Sequence, residues 1–308
     1  MLDNSSAQYK KSWLINSTIA RELACFSPGD RLPTIQELTE RLNSSRGIVQ
    51  KALNDLQDKK SIKLEKRGKM GTFIKSLDQE ILFEEGGLSF ITGTMHTPVN
   101  IDLVSLASGI CEAMDTCPVS FGFAFIQSTK RRALALSRSF VDFSVSSVKT
   151  AEILCTKHSD LTLMATLDDC IYSPPFVLCS NKGRRSKISA GDRIAADPGT
   201  VDHFHLTKEL CKGIKVRLIE RPYLTCRAMF LAGDVDFFVY RYDKFGSDPP
   251  FYKIPIENGD DPAYLIPAIT INKNNYNIDN ILKPYLCSVA IREGQLAVME
   301  NRREPVVF

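Results

Sequence analysis

The feature that most limits what this chain can fold into is a pair of helix starts eleven residues apart. Thr34 stands before an apolar-periodic run with Glu37 three residues on, the reciprocal capping box that opens a helix. That run puts Ile35, Leu38 and Leu42 on one face and is broken by Asn43-Ser44-Ser45. The break also caps a second helix, whose inward face is Val49, Ala52, Leu53 and Leu56. Gly47, Gln50 and Lys51 lie on its opposite side, with Arg46 at its N-terminal flank. Two short helices joined by a tight polar turn make a helix-turn-helix, in which the second helix enters the major groove N-terminus first. An earlier helix is expected from Tyr9, Trp13, Ile15, Ile19 and Leu23, ending at the turn cluster Ser27-Pro28-Gly29-Asp30. Downstream, residues 62–66 and 72–75 alternate as strands around the basic turn Arg67-Gly68-Lys69-Met70-Gly71. That hairpin reads as a wing, with Arg67 and Lys69 at its tip.

Charge supports the same reading. Residues 1–76 carry 14 Lys and Arg against 8 Asp and Glu, while the rest carries 25 against 28. A small basic module on a larger, mildly acidic body is the layout of a nucleic-acid reader joined to something else. At 308 residues two domains are the default. The expected division is 1–76 as winged helix, 77–87 as a charged linker and 88–308 as the body. No run approaches the ~18 apolar residues of a membrane span. The polar opening offers no signal peptide, and nine cysteines without a Cys-x-x-Cys pair suit reduced thiols, so a cytoplasmic location is expected.

Pro28-Gly29-Asp30-Arg31-Leu32-Pro33-Thr34, then Ser45-Arg46-x-x-Val49-x-x-Ala52-Leu53, then Gly71-Thr72-Phe73-Ile74 resemble the winged-helix domain of GntR-type transcription factors. The resemblance implies that the phosphate-contacting serine and arginine of the family's second helix fall on Thr34 and Gln36, the latter a loss of one cation. It also implies DNA-contacting roles for Ser45 and Arg46. Ile48 replaces the threonine that often follows, and the wing is a residue or two longer between its glycines. The implied partner is a double-stranded DNA operator.

In the body, strands and helices alternate: strands at 88–92, 119–126 and 141–145, helices at 101–114 and 131–139. Such alternation implies parallel α/β layers with helices on both faces. An internal echo sharpens this. Arg132-Ala133-Leu134-x-Leu136 leads to Val141-Asp142-Phe143-x-Val145, and Arg227-Ala228-Met229-x-Leu231 leads to Val235-Asp236-Phe237-x-Val239. Two α/β lobes built alike, the second inserted through the first, resemble the type 2 periplasmic-binding-protein fold. Residues 193–202 resemble the first strand and ligand loop of its second lobe. The chain as a whole resembles the YhfZ-type regulators of enteric bacteria, a likeness that implies fold and regulatory role but no ligand.

There is no Gly-x-Ser-x-Gly, His-Glu-x-x-His, Walker loop or Gly-x-Gly-x-x-Gly. His203-x-His205 beside Asp202 is the one local metal-like cluster, and an i, i+2 pair on a helix splays apart, so no metal is expected. Lys182, Arg184 and Arg185 read as a solvated loop. No cofactor is expected. A small polar or anionic effector is expected between the lobes, at strand ends and helix starts: Thr94, Ser128, Ser146, Ser147, Gly199, Thr200 and Arg241. The expected protein is a non-enzymatic, homodimeric, effector-responsive DNA-binding regulator. The rival, an α/β enzyme with a self-regulating DNA-binding head, needs a nucleophile–base pair that no motif supplies.

Overall fold

The computed structural model describes residues 4–181, 183, 185–241, 251–257 and 259–306, with side chains from Trp13 onward. Lys182 and Arg184 of the expected solvated loop lie outside these, as does the side chain of Tyr9. The chain divides into two compact units. One comprises Met1–Ile91, Asp115–Phe121 and Tyr276–Tyr285, the other Thr92–Met114, Gly122–Asn275 and Leu286–Phe308.

In the first unit α1 (Asn4–Leu23) buries Ile15, Ile19, Ala20 and Leu23. The Thr34 box forms in full: the Glu37 N–H donates to the Thr34 hydroxyl at 3.2 Å, and the Thr34 N–H donates to the Glu37 carboxylate at 2.7 Å. It opens α2 (Ile35–Arg41), of which Leu38 is fully buried while Ile35 and Leu42 are half-buried. α3 (Arg46–Asp58) buries the four residues its spacing selects, Val49, Ala52, Leu53 and Leu56. Val49, Leu53 and Leu56 each contribute about 1.5–3 kcal/mol by leaving water. β1 (Ile62–Lys66) and β2 (Thr72–Leu77) pair antiparallel. The turn cluster before α2 is a third strand-like edge, because the Gly29 N–H donates to the Ile74 carbonyl at 2.8 Å and the Leu32 N–H to the Thr72 carbonyl at 2.9 Å. Gly29 turns there at φ +97°, a conformation costly for any side chain, and the Asp30 carboxylate accepts from the Ser27 N–H at 2.7 Å.

Residues 77–87, read as a linker, hold α4 (Gln79–Glu85), capped by Asp78 and burying Leu82 and Phe83. Two adjacent apolar side chains outweigh the charges around them. The unit also takes in Tyr276–Tyr285, whose short helix Ile278–Leu282 (α11 in chain order) is buried at Ile278, Ile281 and Leu282. The Asn277 amide donates to the Arg21 carbonyl at 3.1 Å and the Tyr276 hydroxyl to Glu22 at 3.3 Å. Glu22 also pairs with Arg41 of α2 at 2.7 Å.

The body contains two five-stranded sheets of the same plan. The first uses β3 (Phe90–Met95), β4 (Ser120–Phe125), β5 (Phe143–Ser147), β6 (Leu161–Thr166) and β12 (Pro267–Asn272). Its helices are α5 (Ile101–Met114), α6 (Thr129–Ser137) and α7 (Val148–Lys157), with the C-terminal α12 (Ser288–Met299) against α5. The second uses β7 (Phe176–Ser180), β8 (Arg193–Ala196), β9 (Arg217–Glu220), β10 (Phe237–Arg241) and β11 (Tyr252–Pro255), with α8 (Val201–Leu210), α9 (Tyr223–Leu231) and α10 (Pro262–Leu265). Strand order is β4-β3-β5-β12-β6 in one and β9-β8-β10-β7-β11 in the other. The sheets are mixed rather than parallel throughout: β12 runs antiparallel to β5 and β6, and β7 antiparallel to β10 and β11. The reason is the route between lobes. β5 and β10 end at the cleft, so a chain crossing it enters the other lobe from that end and must run the opposite way.

The echoed Asp has one role in both lobes. The Asp142 N–H donates to the Thr92 carbonyl at 2.8 Å, and its carboxylate accepts the Thr92 N–H at 2.9 Å. Asp236 makes the same reciprocal pair with Arg193, at 2.8 and 2.9 Å. Each Asp thus ties the start of its lobe's third strand to that of the first.

Candidate functional site

On the winged helix, Thr34, Gln36, Ser45, Arg46, Gly47, Gln50, Lys51, Arg67 and Lys69 are all exposed. No ion pair among the described residues engages Arg46, Lys51 or Lys69. Thr34 and Ser45 use their oxygens as helix caps, accepting backbone N–H groups, which leaves each hydroxyl proton available to donate. The Gln36 and Gln50 amides donate along their own helices, to Glu40 and Asn54, both at 3.0 Å. Arg67 is more constrained, paired with Glu65 at 2.8 Å and lying 4.6 Å over the Phe73 ring. The wing's added length forms a short 3-10 turn, Gly68–Met70, closed by Gly71 at φ +99°. A Cβ on Gly71 would come within 3.0 Å of the Arg31 side chain. Arg31 is thus a further exposed cation beside the wing, carried in the Pro28–Thr34 motif but not singled out in it.

Between the lobes of the body is a cavity of about 280 Å³. The first lobe supplies His96, Val99, Asn100 and Leu103 after β3, Thr129 and Arg132 of α6, and Thr150 of α7. Tyr172 and Phe176 come from the crossing into the second lobe. That lobe adds Thr200 just before α8, Asp202 and His203 of α8, Tyr223, Leu224 and Arg227 of α9, and the end of β10 at Tyr240 and Arg241. Mixed apolar and aromatic walls with a few convergent polar groups are the usual makeup of a small-molecule site, and this volume is at the small end of the range.

Arg132 is 2% exposed, and its Nη1 donates to the Ile126 and Gln127 carbonyls at 2.6 and 3.1 Å. Its Nη2 donates to the Thr129 hydroxyl at 3.2 Å, while the buried Nε has no hydrogen-bond partner among the described residues. Among the described residues no carboxylate forms an ion pair with it, and burial pushes its pKa below the usual guanidinium value. Arg241 is already matched: its Nη2 pairs with the buried Asp202, and its guanidinium lies 4.0 Å over the Phe176 ring. Burial alone would raise the Asp202 carboxyl, but Arg241 and the His203 N–H hold it below the ordinary carboxylate value. His203 is wholly buried with Nε2 3.0 Å from the Val239 carbonyl and Nδ1 3.4 Å from the Asp197 N–H. These partners fix the neutral tautomer protonated on Nε2, and burial draws its pKa down to about 4. Among the described residues no group of three or more His, Cys, Asp and Glu could hold a metal ion.

Of the residues expected from sequence to hold an effector, Thr200 and Arg241 line the cavity. Ser128 and Gly199 lie where the lobes meet, with the Thr129 N–H donating to the Gly199 carbonyl at 2.9 Å. Thr94 is buried within the sheet, its hydroxyl donating to the Ala124 carbonyl at 2.6 Å. Ser146 is buried in β5 opposite Ala268, and Ser147 caps α7 by accepting the Thr150 N–H at 3.2 Å. Sequence reasoning missed Arg132, and the signal was the echo itself: Arg132 and Arg227 head its two copies, and both line the cavity from opposite lobes.

Residues 78–306 match the family described as YhfZ C-terminal domain, and residues 27–74 match a helix-turn-helix domain. The chain is 25% identical to the protein YhfZ of Escherichia coli (strain K12), over 96% of this chain and 97% of that one. The crystal structure of YhfZ from Shigella flexneri superposes with a TM-score of 0.62 at 19% identity, covering 74% of this chain and 97% of that one. The alkanesulfonate-binding protein SsuA of Xanthomonas axonopodis pv. citri, solved with MOPS bound, gives 0.51 at 13% identity, over 70% and 75%. That likeness shows the two-lobed fold of a periplasmic binding protein, which here follows the helix-turn-helix region. With three quarters of its length matched by one domain pattern, the chain belongs to the YhfZ family.

Proposed function

We propose that this protein is a DNA-binding transcription regulator of the GntR kind, whose two-lobed body binds a small polar or anionic effector without transforming it. One observation carries the reading: a winged helix with exposed, unpaired cations shares a chain with a cavity set between two lobes. Arg46, Lys51 and Lys69 suit the groove and its phosphates. Effector binding between the lobes biases how the heads address DNA, a coupling between two sites. The non-enzymatic reading is supported by the lining, which among the described residues holds no cysteine or serine, and by His203, whose ring nitrogens are both engaged. We place the protein in the cytoplasm, as a homodimer on a two-fold symmetric operator.

The test is selection of genomic DNA fragments by the full chain, followed by footprinting and titration of the selected site. Two half-sites about one helical turn apart are expected. Arg46→Ala weakens binding to that site by ~1–3 kcal/mol if Arg46 reads a base. Lys69→Ala weakens all sequences alike and flattens the salt dependence. Failure to enrich any sequence, or normal site binding by a folded Arg46→Ala protein, overturns the assignment.

A further inference from the structure

Among the described residues the cavity's charges do not cancel. Three largely buried ionic groups line it: Arg132, Arg241 and Asp202. Asp202 and Arg241 neutralise one another, and Asp202 also accepts the His203 N–H at 2.9 Å. Among the described residues Arg132 hydrogen-bonds only to neutral oxygens, its buried Nε–H has no acceptor, and Asp202, whose charge also acts on it, is already paired with Arg241. An unpaired buried cation is costly, and an uncommitted donor on it adds to the cost. Both lining histidines are depressed by burial and stay neutral near pH 7. Arg227 is exposed at the rim, where it keeps its water and adds positive potential at the mouth.

The walls say what the acid is attached to. Leu103 and Val99 from one lobe face a site shared with Leu224, Tyr223 and Tyr240 from the other. Among the described lining residues Asp202 is the one carboxylate, and it is already committed. A ligand ammonium group would find no free anion there and would add to the unbalanced positive charge.

Resting on the cleft as the effector site, we infer that the effector is a small organic acid with an apolar body and no amino group, its acid group seated against Arg132. Charge-assisted hydrogen bonds to a carboxylate are about twice as strong as neutral ones, so the acid is preferred over its own amide.

Matched triplets test this by thermal shift and calorimetry on the full chain: 3-phenylpropanoate, its amide and L-phenylalanine, and 4-methylpentanoate, its amide and L-leucine. The acids are expected to bind at least about tenfold more tightly than the amide or amino acid of the same body. Arg132→Gln should erase the preference. Leu224→Trp, a change at an exposed rim residue that leaves the buried charges alone, should abolish binding by filling the mouth. Amides or amino acids that bind as well as the acids, and lose binding in Leu224→Trp, overturn the acid assignment while the cleft remains the site. Acid binding that survives Leu224→Trp places the ligand elsewhere and overturns both. No shift for either acid at millimolar concentration overturns the acid assignment.

Discussion

A histidine sealed against water at neutral pH makes a fold sensitive to acid. His203 is wholly buried with its pKa drawn down to about 4, against about 6.5 when unfolded. Between those values the unfolded chain binds a proton that the folded chain refuses, so stability falls as pH drops from about 6.5 towards 4, at up to about 1.4 kcal/mol per unit. Urea midpoints of the wild type should therefore fall more steeply across that window than those of His203→Gln, and equal slopes would remove the assignment. The same scale shows where sequence reasoning runs short. Thr200 and Arg241 were legible as cavity residues because they end a loop and a strand. Thr94 and Ser146 end or near the end of strands too, yet their side chains are buried within the sheet. Arg132 heads the first copy of the echo, yet nothing in a sequence announces that an arginine on an amphipathic helix is buried among backbone carbonyls.

At the scale of elements the echo was the most productive signal. It anticipated α6-β5 and α9-β10, and helix periodicity placed 101–114 as the structure has it. The two crossing strands β7 and β12 escaped, since a strand's direction depends on which lobe it arrives from, and no local pattern encodes that. The repeated Asp now has a mechanical meaning that can be tested. Asp142→Ala and Asp236→Ala each strand a backbone N–H, at Thr92 and at Arg193, and should each cost ~1–3 kcal/mol by urea unfolding. Asp234→Ala, on an exposed neighbour, should change stability by no more than about 0.5 kcal/mol. If all three variants behave alike, the clamp is unimportant.

For the whole molecule, composition and charge divided the chain into basic head and acidic body, but not where the head ends. The first unit runs on through α4 and includes Tyr276–Tyr285, whose distance along the chain hides its membership. No helix among the described residues is long and apolar enough to cross a membrane. Residues 1–91 made alone should therefore lack part of their own packing. Beside the full chain they should exchange α1 amide protons faster, and adding a peptide of residues 274–287 should slow that exchange. Equal protection in the fragment and the full chain would show the added segment to be dispensable. The arrangement also sets a clock. Tyr276 leaves the ribosome some 185 residues after Ile91, which at about 5–20 residues per second is on the order of ten to forty seconds. Through that interval the nascent head waits for α11, so a chain cut short in synthesis is released with its head unfinished, and only a nearly complete protein presents a finished one to the genome.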